Sequence, residues 1–128
     1  MYQNKLLMKQ LTKAESDIMR ILWCLEEGNV NSIIDQMQEP KPAYNTVSTI
    51  IRILEQKGFV DYKKKGRGHI YFPIISQEDY KASSSKRLAK NYFEGSFANM
   101  ISFFVEKQDL SLEELESILK DLKKKKND

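Results

Sequence analysis

The 128-residue sequence predicts a mainly α-helical chain with a small β-hairpin wing, a winged helix-turn-helix followed by a C-terminal helical dimerisation region. Three observations predict it. Three segments with apolar residues at helical spacing fill the first half, and a Gly-containing basic turn between two short aromatic runs follows them. The rest reads as helix. We therefore expect a DNA-binding domain over residues 1–75 and a helical dimerisation domain over residues 76–128.

The first two helices are predicted from their capping residues. Thr12–Glu15 is a Thr-x-x-Glu capping box that precedes apolar residues at helical spacing. Gly28 is expected to end this first helix, because glycine favours the left-handed conformation found at helix ends. Asn31 is expected to cap a short second helix over residues 32–38.

The third helix is expected from about residue 43 to residue 57, and its two faces differ. One face is an aliphatic stripe made of Val47, Ile50, Ile51 and Leu54. The other face is small and polar, with Asn45, Ser48, Thr49 and Arg52. Solvated helix faces usually carry Glu and Lys, which favour helix more than Ser, Thr or Asn do. The polar face is therefore predicted to contact a partner.

A basic β-hairpin is predicted after the third helix. Residues 59–63 and 70–72 have strand character, and residues 64–69 form a cationic tip whose two glycines permit a tight turn. Residues 41–75 carry seven basic and two acidic side chains, although the net charge of the whole chain is only +3. Such a local excess favours an anionic partner.

Together the polar helix and the basic hairpin favour double-stranded DNA, although Arg52 alone or the Lys run alone fits an ordinary solvated surface. We expect the helix to enter the major groove and the hairpin to contact phosphates. The candidate residues on the helix are Tyr44, Asn45, Thr46, Ser48, Thr49 and Arg52. Those on the hairpin are Lys63, Lys64, Lys65, Arg67 and His69.

The C-terminal region carries more apolar side chains than one small winged helix can cover. A symmetric homodimer would bury them, and two modules would read a palindromic DNA site. The candidate dimerisation residues are Phe93, Phe97, Met100, Ile101, Phe104, Leu112, Leu115, Leu119 and Leu122.

Several classes of protein are disfavoured by composition. One Cys, Cys24, and one His make neither an internal disulfide nor a structural zinc site, so no metal or cofactor is expected. No apolar run is long enough to span a bilayer and no signal peptide is recognisable, so we expect a cytoplasmic protein without direct membrane binding. No catalytic motif appears, so an enzyme is not expected. A winged helix that senses a small ligand or binds a protein partner remains an alternative.

Several short motifs occur in an order and spacing that resemble those of the penicillinase and methicillin-resistance repressors. This family has copper-responsive relatives. The resemblance runs from Leu11 to about Leu122. Its motifs are residues 11–15 with Ile18, Met19, Leu22 and Trp23, residues 45–52 with Leu54, Lys57 and Gly58, Gly66 and Arg67 with Tyr71 and Pro73, and residues 104–107 and 109–111.

The resemblance implies repression of a resistance or stress operon through dyad operators, often with TACA/TGTA-type half-sites. It also implies a membrane sensor protease that triggers cleavage of an Asn-Phe bond in the dimerisation region. That bond aligns with Phe103 and Phe104, where Phe stands in place of Asn. The family usually has Arg where this chain has Ile53, which points to a different operator preference, and the lack of any Cys after Cys24 disfavours copper sensing.

Overall fold

A computed structural model describes residues 8–127, which form six helices and one two-stranded antiparallel sheet. The mainly helical class with a hairpin wing is confirmed. The elements are α1 (Lys13–Leu25), α2 (Val30–Asp35), α3 (Tyr44–Gln56), β1 (Val60–Lys65), β2 (Gly68–Pro73), α4 (Gln77–Tyr92), α5 (Phe97–Glu106) and α6 (Leu112–Asn127).

The start of α1 has the predicted capping box. Glu15 N donates to Thr12 Oγ1 at 3.2 Å, and Thr12 N donates to Glu15 Oε1 at 2.9 Å. The end of α1 was predicted wrongly. Glu26, with φ 73°, takes the left-handed position after Leu25, whereas the backbone of Gly28 exchanges hydrogen bonds with Tyr71. Gly28 therefore pairs with a strand residue and does not end the helix.

The second helix begins and ends earlier than predicted. Its cap is Asn29, whose Oδ1 accepts from Ser32 N at 2.8 Å, so the predicted cap Asn31 lies inside the helix. This register buries Val30 and Ile33 in the core. The helix stops at Asp35, well before the predicted residue 38. Packing therefore decided between two asparagines that have the same local preference.

The third helix holds the centre of the core. Val47, Ile51 and Leu54 are fully buried, and Ile50 is half-buried, as the aliphatic stripe predicted. They pack in one cluster with apolar residues of α1 and α2 and with the hairpin. The other core members are Leu11, Ile18, Met19, Leu22, Val30, Ile33, Phe59, Val60 and Tyr71. Burial of one face of α3 leaves the opposite face free for contact.

The hairpin is longer and its turn is tighter than predicted. Lys64 pairs with His69 and Lys65 pairs with Gly68, so most of the predicted tip lies within the strands. Only Gly66 and Arg67 form the connection, and Gly66 has φ 64°. A two-residue connection with glycine at positive φ is typical of tight hairpins.

The chain divides into two compact units, one up to Ser84 and one from Ser85. This division lies inside α4, later than the expected boundary at residue 75. The first turns of α4 belong to the first unit, because Tyr80 Oη accepts from Leu11 N at 3.0 Å and the buried Ser83 Oγ accepts from Met8 N at 2.7 Å. In the second unit Ala89 and Met100 are buried. No helix within residues 8–127 is long and apolar enough to cross a membrane.

An ion pair joins the start of α1 to the end of α3. Lys57 Nζ lies 2.7 Å from Oε1 of Glu15, which is only 4% exposed. Burial raises the pKa of Glu15, but the hydrogen bonds from Lys57 and Thr12 and the charge of Lys57 outweigh burial, so the net pKa is lowered. The carboxylate is therefore held in its charged form against the core.

We expect Glu15→Gln to destabilise the protein by about 1–2 kcal/mol at neutral pH, because it leaves the Lys57 ammonium without its carboxylate. The pKa of Glu15 in the folded state lies below the ordinary value of 4.5. Its contribution is therefore complete well above that value and is lost as the pH falls through the folded pKa. Urea unfolding between neutral and acid pH measures this effect.

In that experiment the free energy of unfolding of Glu15→Gln should depend less steeply on pH than that of the unmodified protein. The exposed Glu39 provides the control, since Glu39→Gln removes a carboxylate without this pairing. Parallel pH curves for the protein and Glu15→Gln would contradict the assignment.

Candidate nucleic-acid interface

The outer face of α3 is polar and accessible. Asn45, Thr46, Thr49 and Arg52 are exposed, Tyr44 is 53% exposed and Ser48 is half-buried. The helix register explains this, since these positions are rotated away from the fully buried stripe. All six predicted helix residues thus lie on one element, which is held rigidly by its opposite face.

A cleft of about 300 Å³ lies between α3, the start of α2 and the hairpin. It brings together five of the predicted DNA-binding residues, which are Tyr44, Ser48, Arg52, Arg67 and His69. It also includes Asn29, the observed cap of α2, and Asn31, which the sequence had suggested as that cap. Their proximity to the hairpin depends on the tertiary pairing of Gly28 with Tyr71, which no local signal reveals.

Three of the seven basic side chains between residues 41 and 75 have internal partners. Lys41 Nζ donates to three carbonyls at the end of α2, the shortest contact being 2.6 Å to Met37 O. Lys57 pairs with Glu15, and Lys63 Nζ lies 2.9 Å from Glu27 Oε1. Lys63, a predicted phosphate contact, is thus engaged with the loop that follows α1.

The other four cations of this stretch are Arg52, Lys64, Lys65 and Arg67. Within residues 8–127 none of them forms an ion pair with a carboxylate. They project from α3 and the hairpin, and all are exposed. The excess positive charge predicted from the sequence is therefore concentrated on these four side chains.

The hairpin presents an aromatic face that includes His69. The His69 ring stacks on Tyr62 with centroids 4.2 Å apart and meets the Tyr71 ring at its edge, 6.0 Å away. Because alternate strand residues share a face, the pairs Tyr62–Tyr71 and Lys64–His69 lie on the same side of the hairpin. Lys63 and Lys65 lie on the other side.

Tyr71 anchors this face to the rest of the unit. Its N–H donates to Gly28 O at 2.8 Å, and its carbonyl accepts from Gly28 N at 2.9 Å. Burial, with a smaller effect from the negative charge of Glu55, raises the pKa of Tyr71. The neutral tyrosine therefore serves as a core residue, and the hairpin is fixed beside α3 through its backbone.

In the second unit most of the predicted dimerisation residues lie at the surface of the single chain. Phe93, Phe104 and Leu115 are half-buried, and Met100 is buried within its own unit. The exposed members are Phe97, Ile101, Leu112, Leu119 and Leu122. Phe103 and Phe104, at the predicted cleavage position, lie inside α5, where their rings contact Phe93.

Among residues 8–127 no three His, Cys, Asp or Glu side chains are grouped as metal ligands. The site is instead a basic, hydrogen-bonding surface made by a helix and a hairpin.

The sequence profile of the family described as "Penicillinase repressor" matches residues 11–124. The chain belongs to the penicillinase repressor family. This confirms the resemblance found in the sequence, and the members of this family are DNA-binding transcriptional repressors.

Similar proteins support this membership over nearly the full length. The methicillin resistance regulatory protein MecI of Staphylococcus aureus (strain N315) is 33% identical over 117 residues, covering 91% of this chain and 95% of MecI. The penicillinase repressor of Bacillus licheniformis is 28% identical over 119 residues, covering 92% and 93%. The solution structure of the DNA binding domain of the repressor BlaI superposes with a TM-score of 0.50 at 28% identity, covering 58% of this chain and 94% of that domain.

The hairpin turn of this repressor family member provides a test of the wing geometry. We expect Gly66→Ala to destabilise the first unit by about 1 kcal/mol, because Gly66 has φ +64°, where a Cβ is strained. Gly68→Ala is the matched control, since its Cβ would meet only Lys65 O at 3.9 Å. Thermal unfolding should show a lower Tm for Gly66→Ala than for Gly68→Ala, and equal Tm values would refute the turn assignment.

Proposed function

We propose that this chain is a dimeric transcriptional repressor that binds a palindromic operator of a resistance or stress operon. The observation that carries the proposal is the exposed polar face of α3 beside a hairpin on which Lys64, Lys65 and Arg67 have no carboxylate partner within residues 8–127. Membership of the penicillinase repressor family supports it. The names of its relatives, which refer to methicillin resistance and penicillinase, support the type of operon.

DNA reading is assigned to α3. A single α-helix fits the major groove, which is about 12 Å wide. The carboxamide of Asn45 is suited to adenine, because it offers one donor and one acceptor, and the methyl of Thr49 is suited to a thymine methyl. Arg52 is suited to guanine or a phosphate. Lys64, Lys65 and Arg67 would contact phosphates, which fix the position of the protein without reading sequence.

Dimerisation is assigned to the second unit. Its exposed apolar side chains, such as Ile101 and Leu119, lose contact with water when two copies associate. Two linked DNA-binding units bind a dyad more tightly than one, since the second half-site is met at high effective concentration. Relief of repression by a membrane sensor protease is part of the proposal. A cut between Phe103 and Phe104 would sever α6 from the rest of the unit and so weaken the dimer.

The DNA proposal predicts different effects for a phosphate contact and a base contact. Arg67→Ala should weaken binding to every duplex and lower the slope of log affinity against log salt by about one. Asn45→Ala should instead lose about 1–3 kcal/mol on the preferred operator only. Fluorescence anisotropy on a TACA/TGTA dyad, its single-base variants and a scrambled duplex, titrated with salt, measures both.

Lys81→Gln is the matched control for charge, because Lys81 is an exposed cation of the first unit that pairs with Glu78 on α4. It should leave the salt slope unchanged. Binding that is equally weak on all duplexes and insensitive to salt would sink the repressor proposal. Equal losses for Asn45→Ala on every duplex would remove that residue from base reading.

The dimer proposal predicts that Ile101→Glu combined with Leu119→Glu produces a monomer at micromolar concentration, because buried carboxylates oppose association. Affinity for the dyad should fall by about 100-fold or more while affinity for a single half-site is kept. Sedimentation velocity and anisotropy measure the two effects. Glu116→Gln, a change at an exposed residue of α6, is the control. A double variant that remains dimeric would contradict the assignment.

A further inference from the structure

We propose that the cleft between α3 and the hairpin holds one phosphate group of the DNA backbone, with protonated His69 acting as a third cation beside Arg52 and Arg67. The inference rests on the proposed DNA binding and adds a defined contact and a dependence of affinity on pH. It assigns the lone histidine of the chain to that contact.

The donor set of the cleft suits a phosphate. Arg52 from α3, Arg67 from the turn and His69 from β2 all line it, so three separate elements contribute to it. Tyr44 and Ser48, each of which carries a hydroxyl, also line the cleft, and none of its lining residues is a carboxylate. A phosphate offers several acceptor oxygens and a negative charge, which match guanidinium groups in geometry and in sign. The cleft has a volume of about 300 Å³, which is large enough for a phosphate group.

The charged and titratable groups around His69 favour an anion there. On the hairpin these are Tyr62, Lys64, Arg67 and Tyr71, and across the cleft they are Tyr44 and Arg52. Two acids lie on neighbouring elements. Glu27 is paired with Lys63, and Glu55 acts on Tyr71 without lining the cleft. No carboxylate therefore competes with a phosphate for the described lining of the cleft.

Protonation of His69 links this contact to pH. Histidine is the side chain whose charge ordinarily changes between about pH 5 and pH 8. The neutral ring has one N–H donor, whereas the protonated ring has two and carries a positive charge. Because a bound phosphate favours the protonated form, DNA affinity must rise as the pH falls through this range.

The test measures DNA affinity by anisotropy in a phosphate-free buffer at constant ionic strength, from about pH 8 down to about pH 6. The unmodified protein should gain about fivefold in affinity over this range, the effect of one charge-assisted contact. His69→Phe keeps an aromatic ring for the stack on Tyr62 but cannot be protonated, so its affinity should stay flat. His69→Lys keeps a positive charge, so its affinity should stay high throughout.

The matched control removes His69 and places a single histidine elsewhere in the same unit. The double variant His69→Phe with Lys81→His should remain as flat as His69→Phe alone. Circular dichroism and Tm at both ends of the pH range verify that each variant is folded. A gain in affinity for His69→Phe equal to that of the unmodified protein would overturn the inference.

Two further arms identify the source of the phosphate. Neutral methylphosphonate groups placed one by one along the duplex should abolish the pH dependence at one backbone position per half-site. Inorganic phosphate should displace DNA no better than sodium chloride of equal ionic strength. Stronger displacement would overturn the assignment to DNA in favour of free phosphate, and the absence of any sensitive backbone position would overturn it as well.

Failure of the inference is distinguishable from failure of the proposed function. If the unmodified protein binds the dyad tightly but shows the same pH dependence as His69→Phe, the inference falls and the repressor proposal stands. If the protein binds no duplex in a salt-dependent way, both fall.

Discussion

The backbone pairing between Gly28 and Tyr71 is the interaction on which the DNA-binding unit depends. An isolated two-stranded hairpin is only marginally stable in water, and this pairing ties β2 to the loop between α1 and α2. The Tyr71 side chain enters the same core as Val47 and Ile51 of α3. This contact and the burial of Val60 and Tyr71 in the shared core together set the position of the hairpin relative to α3, and hence the shape of the cleft between them. Gly28 suits it, since an added Cβ would approach Ser32 Cβ at 3.3 Å.

The third helix, α3, is held in place by its buried face and by its C-terminal end. Its aliphatic face lies in the core, and Lys57 beyond its last turn is bound to the buried carboxylate of Glu15. No side chain caps its N-terminus at Ala43. The helix is thus restrained by contacts that leave its polar face untouched, so the residues assigned to base reading need contribute nothing to holding it in place.

Much of this arrangement was predictable because it depends on local chemistry. The capping box at Thr12, the buried stripe of α3 and the glycine turn of the hairpin each follow from residues a few positions apart. The helix cap and the helix end that were predicted wrongly depend on residues far apart in the sequence. Asn29 was preferred to Asn31 because its register buries Val30, and Gly28 left its expected helix end to pair with Tyr71.

The site was predictable to a similar extent. The polar residues of α3 and the basic hairpin were recognised from composition and spacing, and five of them do meet at one cleft. Which lysines have internal partners was not visible in the sequence, since Lys57 and Glu15 are far apart along the chain, as are Lys63 and Glu27.

This separation of cations has an evolutionary consequence. Lys64 and Lys65 support no ion pair within residues 8–127, whereas Lys57 sustains the link between α1 and α3. Mutations at Lys64 or Lys65 can therefore alter the general attraction of the surface for polyanions while the fold is spared. Under the proposed function, drift at these positions would let a lineage adjust the strength of DNA binding in small steps, whereas a change at Lys57 removes the link between α1 and α3.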